Sequence, residues 1–334
     1  MMPSTTPGVL TLGETMGLLA GSRIGSLAHV PDAHVGIGGA ETNVAVSLSR
    51  LGVPATWIGR VGDDSLGKRV VREVRGEGVD VRAHVDPEAA TGLMLKELTG
   101  QGTARVYYYR AGSAGSRLAA ADVPAGLVEN AGLVHLTGIT PLLSDSARKA
   151  CLSVVQRARA AGVPVSVDVN YRSTLAPAHV ATKVLGELAA AADIVFGSPE
   201  ELMHVAPGGV ADGSAGNDAA DSGAFGALAR AVDPTGQREI VVKQGADGAS
   251  TYVDGSVVHS QGHDIEVVDS VGAGDAFVAG YLSGDLLGWG VRDKLARANA
   301  CGAVVCTMPG DWEAAPTPAE LQSFRGAGND PVQR

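Results

Sequence analysis

The sequence predicts an α/β fold: a mostly parallel central sheet flanked by helices on both faces, with a small β-sheet standing off it as a lid. Three observations lead there. Short Val- and Ile-rich runs alternate with stretches of helical apolar spacing, the pattern of a parallel sheet buried on both faces. Residues 91–110 break that alternation and read as a hairpin. With 334 residues and 45% apolar composition, the chain can bury a large core, as one big domain or as two unequal parts.

Taken from the N-terminus, "GVLTLGE" (8–14) reads as a buried opening strand. "ETNVAVSLSRLG" (41–52) has helical spacing and closes on a glycine suited to a C-cap. "ATWIGRVG" (55–62) reads as a strand, and "DSLGKRVVREVRGEG" (64–78) as a helix opened by an acidic residue. The alternation returns with "LVHLTG", "SDSARKACLSVVQRARAAG", "VPVSVDVN", "ADIVFGSPEELMHVA" and "REIVVKQG". The hairpin "TGLMLKELTGQGTARVYYYR" turns at "TGQGT"; with 16–21 and 28–39 it can form the small sheet, so lid segments are expected near 16–39 and 91–112. Residues 207–224, rich in Gly, Ala and Asp, read as a mobile polar loop, and the tail from "RGAGNDPVQR", 326–334 above all, as frayed.

Acidic residues outnumber basic ones 36 to 26, for a net charge of −10. That excludes a general binder of nucleic acid or anionic membrane, which needs a basic excess or face, and leaves a small anionic ligand held by local cations. Cys151, Cys301 and Cys306 show no metal-ligand spacing and fit a reducing compartment. "MMPSTTPG" lacks a signal-peptide pattern, and no apolar run reaches membrane-spanning length, so a cytoplasmic protein is expected.

The chemistry concentrates in "DSVGAGDAFVAGYLSG" (269–284). Amides at a helix N-terminus lack intrahelical partners and carry the positive end of its dipole, and glycines let backbone approach an anion closely. Gly272, Ala273 and Gly274 therefore read as an anion hole, with Gly274 a candidate for a left-handed conformation. A carboxylate directly behind them repels phosphate, but makes sense as the base that takes a proton from a hydroxyl attacking it; this is the role open to Asp275. In isolation the same residues also read as an acidic cap on a buried helix. No Lys-Ser/Thr follows, so this is not a Walker loop, and no GxGxxG follows the first strand, against an NAD-linked dehydrogenase.

"DSVGAGDAFVAGYL" resembles the C-terminal signature of the ribokinase-like (PfkB) carbohydrate kinases, with Ser270 where Thr is commoner. The family's N-terminal signature is matched by "GIGGAETNVAVSLSRLG" (36–52) and "GRVGDDSLG" (59–67), and the resemblance spans residues 8–322, which implies one ribokinase-like kinase domain. Within the family, "RVYYYRAGSAGSRL" (105–118), "VDVNYRSTL" (167–175) and "PGDWEAAP" (309–316) resemble the 2-keto-3-deoxygluconate kinases. Physical chemistry points the same way. A sugar acid in an acidic protein needs placed cations, and guanidinium groups pair well with carboxylates and phosphates. Arg110, after three tyrosines, and Arg172, after a strand, are the candidates, although "YYYR" alone also reads as a strand with its aromatics on the core.

The resemblance implies further roles, position by position. Gly39 and Asn43 fall where the first signature contacts sugar; otherwise they read as a turn glycine and a helix N-terminal Asn. Tyr108 and Arg110 correspond to lid contacts to the acid end, and Asn170 and Arg172 to residues between sugar and triphosphate. Asp311 matches a late sugar contact, or is an ordinary turn residue after Gly310. Glu201 matches the Glu of the N-x-x-E element that influences Mg²⁺, here with Ser198 in place of Asn. Lys243 is implied near phosphates, Gly245 and Gly248 around the purine, and Asn299 at a nucleotide-proximal helical position; Met94 stands where relatives carry an aromatic.

The function implied is ATP- and Mg²⁺-dependent phosphorylation of the 6-hydroxyl of 2-keto-3-deoxygluconate, with a monovalent cation as a further candidate cofactor and a homo-oligomer as the expected assembly. The alternatives are a family kinase of a neutral sugar or nucleoside (fructose, ribose, adenosine), or a non-catalytic sugar-binding protein on the same scaffold. A binding protein has no need of Asp275.

Overall fold

Among the described residues, nine strands run side by side in one large sheet. The computed structural model describes residues 8–100, 103–206 and 222–326. Its strands are β1 Val9–Leu12, β2 Met16–Ile24, β3 Ala33–Gly38, β4 Ala55–Gly62, β5 Asp80–Asp86, β6 Leu93–Gly100 and β7 Thr103–Tyr109, then β8 Leu133–Thr137, β9 Val165–Asp168, β10 Ile194–Gly197, β11 Glu239–Lys243, β12 Ala249–Val253 and β13 Ser256–Ser260. Its helices are α1 Ala40–Arg50, α2 Ser65–Gly76, α3 Asp145–Ala161, α4 Ala178–Ala190, α5 Pro199–Met203, α6 Ser222–Val232, α7 Ala273–Leu286, α8 Val291–Cys306 and α9 Pro318–Gly326.

The large sheet has the order β13-β12-β11-β10-β9-β8-β1-β4-β5, parallel except for β12 and β13, which return as antiparallel strands at one edge. Successive side chains of a strand point to opposite faces. In β1, Leu10 and Leu12 enter the core shared with α3, α4 and α6, whereas Val9 enters the core shared with α1, α2, α7 and α8. Val195 against Ile194 and Phe196, and Val241 against Ile240 and Val242, divide in the same way. This double burial makes the strands read as continuous apolar runs.

The second sheet, β3-β2-β6-β7, is separate from the first. The expected hairpin is β6–β7, and β2 joins it through parallel pairing with β6. Met16, Leu18 and Met94 form its apolar contact. The tyrosines are not on a core face: Tyr107, Tyr108 and Tyr109 are 40%, 42% and 62% exposed.

Helix boundaries follow local chemistry. The Asp64 side chain accepts the Gly67 N–H at the start of α2, and Ser144 caps α3 by accepting from Ala147. Several elements escaped the sequence reading. The edge strand β5 is half exposed and its polar residues mask the pattern; the β12–β13 hairpin, α4 and α9 were not anticipated, and of α8 only the helical position of Asn299 was. Of the loop expected at 207–224, residues 207–221 lie outside the described residues, but Ser222 already opens α6. Of the tail expected to fray from 326, Gly326 still belongs to α9, and residues 327–334 lie outside the described residues. Among the described residues, no helix is long and apolar enough to cross a membrane.

Candidate active site

The parallel strands deliver their C-terminal ends to one side of the large sheet, where ligands of open α/β folds bind. There the small sheet and the main body enclose a cavity of about 670 Å³. Glu14 lines it just after β1, Asp168 and Asn170 at the end of β9, Glu201 after β10 and Lys243 at the end of β11. From the small-sheet side come Met94, Tyr108 and Arg110; Gly39 and Asn43 come from the start of α1. Arg172, Gly272, Gly274, Asp275 and Asp311 complete the set of expected residues that line it.

Asp275 lies in the first turn of α7, a helix buried on nearly all sides, and is itself only 7% exposed. Its Oδ2 accepts a hydrogen bond from the Asn43 side-chain amide at 2.8 Å. Burial pushes its carboxyl up to about 7; the nearby Asp168 adds to the rise, while the Asn43 hydrogen bond, Lys243 and Arg172 oppose it. A carboxyl near neutrality is suited to exchanging a proton at physiological pH.

The turn before Asp275 is shaped by Gly272, which caps α7 with φ 80°, in the left-handed region that favours glycine. A Cβ there would stand 1.7 Å from the Asp311 carbonyl oxygen. The positive φ therefore sits at Gly272 and not at Gly274, as the sequence reading had allowed; Gly274 is helical, and a Cβ on it would meet only Lys243 Nζ, at 3.6 Å. The Ala273 amide makes a long hydrogen bond of 3.4 Å to the Ser270 carbonyl, and its residue does not line the cavity.

Lys243 pairs with both oxygens of Asp168 at 2.7 Å. Burial works against its charge, but Asp168, Glu201 and Asp275 outweigh it and hold the ammonium above its ordinary value. Asn170 is buried with φ 37°, a conformation uncommon outside glycine and concentrated at functional sites. Arg172 is exposed at the cavity wall.

Arg110 does not stand free. Its Nε and Nη2 both contact Glu14 Oε2, at 2.7 and 2.6 Å, and its guanidinium lies 5.7 Å from the Tyr108 ring centre. Glu14 is fully buried and also accepts from the Ser113 hydroxyl.

Glu201 accepts the Ser198 N–H at 2.8 Å, and the Ser198 hydroxyl accepts the Glu201 N–H at 3.2 Å. Ser198 thus serves as an N-cap where the family pattern has Asn. Met94 is buried against Gly38.

Gly245, Gly248 and Asn299 lie apart from the cavity lining. They form their own cluster. Asn299 donates to the Ser260 and Gln261 carbonyls, at 2.9 and 3.1 Å, and a Cβ on Gly248 would come 2.2 Å from the Ser260 oxygen. Among the described residues, no group of three or more His, Cys, Asp or Glu is gathered as a metal-ligand set.

The sequence reading missed Glu14, Asp168 and Lys96. The first two carried a signal, since each follows directly on or ends a parallel strand. Lys96, buried between Asp269 and Asp311, carried none.

Residues 7–318 match the pfkB family carbohydrate kinases. The chain is 36% identical to a 2-dehydro-3-deoxygluconokinase of Bacillus subtilis, covering 95% of each, and 34% identical to one of Thermoproteus tenax, covering 95% of this chain and 93% of that one. A crystal structure of a putative ribokinase II from E. coli in complex with ATP and Mg²⁺ superposes with a TM-score of 0.83 at 26% identity, covering 96% of this chain and 99% of the other. The chain belongs to the pfkB family of carbohydrate kinases.

Proposed function

We propose that the protein transfers the γ-phosphoryl group of ATP to the 6-hydroxyl of 2-keto-3-deoxygluconate (2-dehydro-3-deoxygluconate). The observation that carries this reading is the juxtaposition of a buried carboxyl, Asp275, with the N-terminal amides of α7 and the Lys243 ammonium, on a cavity that also presents Arg110. The two named relatives supply the substrate class, and the ATP complex of the E. coli protein supplies the donor.

In this mechanism Asp275 takes the proton of the 6-hydroxyl as the oxygen attacks, and Asn43 holds the receiving carboxylate in place. The Gly272 and Gly274 backbone and Lys243 line the cavity where the charge of the transferring group would lie. Arg172 orients donor and acceptor at the cavity wall, and Tyr108 and Arg110 receive the acid end of the sugar.

The residues fit a Mg²⁺ ion that arrives with the triphosphate. Glu201 would offer a carboxylate beside Lys243, Asp168 being paired through both oxygens with that ammonium, and Mg²⁺ takes one or two carboxylates with phosphate and water completing its shell. When bound, the ion neutralises charge on the phosphates.

One observation favours a second reading, a kinase of a neutral sugar. Arg110 is already paired with buried Glu14, which reduces the positive charge offered to a substrate carboxylate. ADP release, measured with ATP over a panel of sugar acids and neutral sugars, decides between them. The sugar-acid reading requires the highest kcat/KM on 2-keto-3-deoxygluconate; higher efficiency on fructose or ribose selects the second.

A further inference from the structure

Lys96 projects from β6 of the small sheet, and its side chain is only 2% exposed. Its ammonium lies 2.6 Å from Asp269 Oδ2 and 3.0 Å from Asp311 Oδ1. Both partners belong to the main body and are buried. Asp269 in turn accepts the Val271 N–H on Oδ1 at 3.1 Å and the Gly310 N–H on Oδ2 at 3.3 Å. It thereby fixes the backbone leading into Gly272, which itself rests against the Asp311 carbonyl. One ammonium thus joins the small sheet to the two segments that meet at the anion turn.

We propose that Lys96 is a positioning residue for phosphoryl transfer: by bridging Asp269 and Asp311 it fixes the 270–274 turn and the cavity wall at Asp311 when the small sheet is seated. Two buried carboxylates do not stay together without a cation, because an uncompensated buried charge is expensive and the segments bearing it move apart or take up a proton. The Asp311 carboxyl lies among like charges in this arrangement. Burial pushes it up to about 6 against the pull of Lys96, with Glu313 and Asp269 adding to the rise. Lys96 is not in the cavity lining, so it acts through these partners and not on a ligand.

The inference rests on the kinase reading of the site, and one set of variants separates the two. Lys96→Met, Asp269→Asn and the double variant are compared with wild type for kcat, for KM of sugar and ATP, and for folded fraction by circular dichroism. Misplacement of reacting groups by a fraction of an ångström to an ångström costs up to ~100-fold. Each single variant is therefore expected to lose ~10–100-fold in kcat, with ATP KM little changed. The double variant should be no worse than the poorer single one, as for residues acting through one contact. If Lys96→Met does not fold, Asp269→Asn carries the test, since asparagine keeps an oxygen for the Val271 amide. Wild-type kcat in a folded single variant overturns the proposal, as do losses that multiply in the double. An inactive wild type across the sugar panel overturns the kinase reading and this proposal with it, whereas an active wild type with unaffected variants overturns this proposal alone.

Discussion

Asn43 donates a hydrogen bond to Asp275 at 2.8 Å, joining the start of α1 to the start of α7 across 232 residues of chain. The bond selects the ionised carboxylate, because it is accepted by an oxygen whose charge it stabilises. It therefore opposes the burial that raises Asp275 to about 7. Asn43→Ala removes that opposition, so the carboxyl should bind its proton more tightly. A base must be deprotonated to act, and the acid limb of the kcat/KM profile should move to higher pH. Rates measured across pH 5–9 check this; an unmoved limb separates the bond from the base's titration.

Asp275→Asn should remove most turnover, by ~10²–10⁴-fold, as expected for loss of a general base. Sugar and ATP binding should persist, because an amide relieves the carboxylate's repulsion of phosphate. Calorimetry with each ligand beside steady-state rates tests both halves, and near wild-type kcat would remove Asp275 from the mechanism.

The same substitution makes a prediction about stability. The folded protein holds the Asp275 proton up to about pH 7, whereas the unfolded chain releases it near the ordinary carboxylate value of 3.8. Because the folded pKa is the higher one, the unfolded state binds fewer protons between these values, and stability falls as pH rises through that window. Asparagine has no such dependence. The Tm of Asp275→Asn relative to wild type should therefore be greater at pH 8 than at pH 4. A constant offset would mean that the carboxyl titrates alike in both states.

The two glycines of the turn should respond differently. Gly272→Ala forces a side chain into a left-handed position against the Asp311 carbonyl, so a loss of folding is expected. Gly274→Val should cost activity more than stability, because the space above Gly274 faces Lys243 and the cavity instead of packed backbone. Thermal melts beside kcat distinguish them. An unfolded Gly274→Val or a fully active one would remove Gly274 from the anion site.

Arg110 tests the substrate. A charge-assisted hydrogen bond contributes about 1.5–3 kcal/mol, and each 1.4 kcal/mol is about tenfold. Arg110→Ala should weaken use of the sugar acid by ~10–100-fold and that of neutral sugars much less. The substitution also strands the buried Glu14 carboxylate, whose cost falls on every substrate. Arg110→Ala with Glu14→Gln removes both charges and isolates the recognition effect. Equal losses on acid and neutral sugars in that double variant would favour the neutral-sugar kinase.

The sequence by itself determined the alternation of apolar strands and helices, the hairpin of the small sheet, and the GAGD turn with Asp275 behind it. Each is a local property: strand burial shows as apolar runs, turns as glycine, and helix starts as a polar residue before an apolar stretch. Most expected cavity residues were legible because they follow directly on strands or lie in long motifs. Only the tertiary structure decided how those residues are paired. Asn43 meets Asp275, Lys96 reaches Asp311 across 215 residues, and Arg110 is held by Glu14 across 96. Such contacts depend on strand order and on the seating of one sheet against another, which no periodicity along the chain encodes. Lys96 shows the limit most clearly. On a half-exposed hairpin it reads as a solvated charge, and only the fold places two buried carboxylates against it.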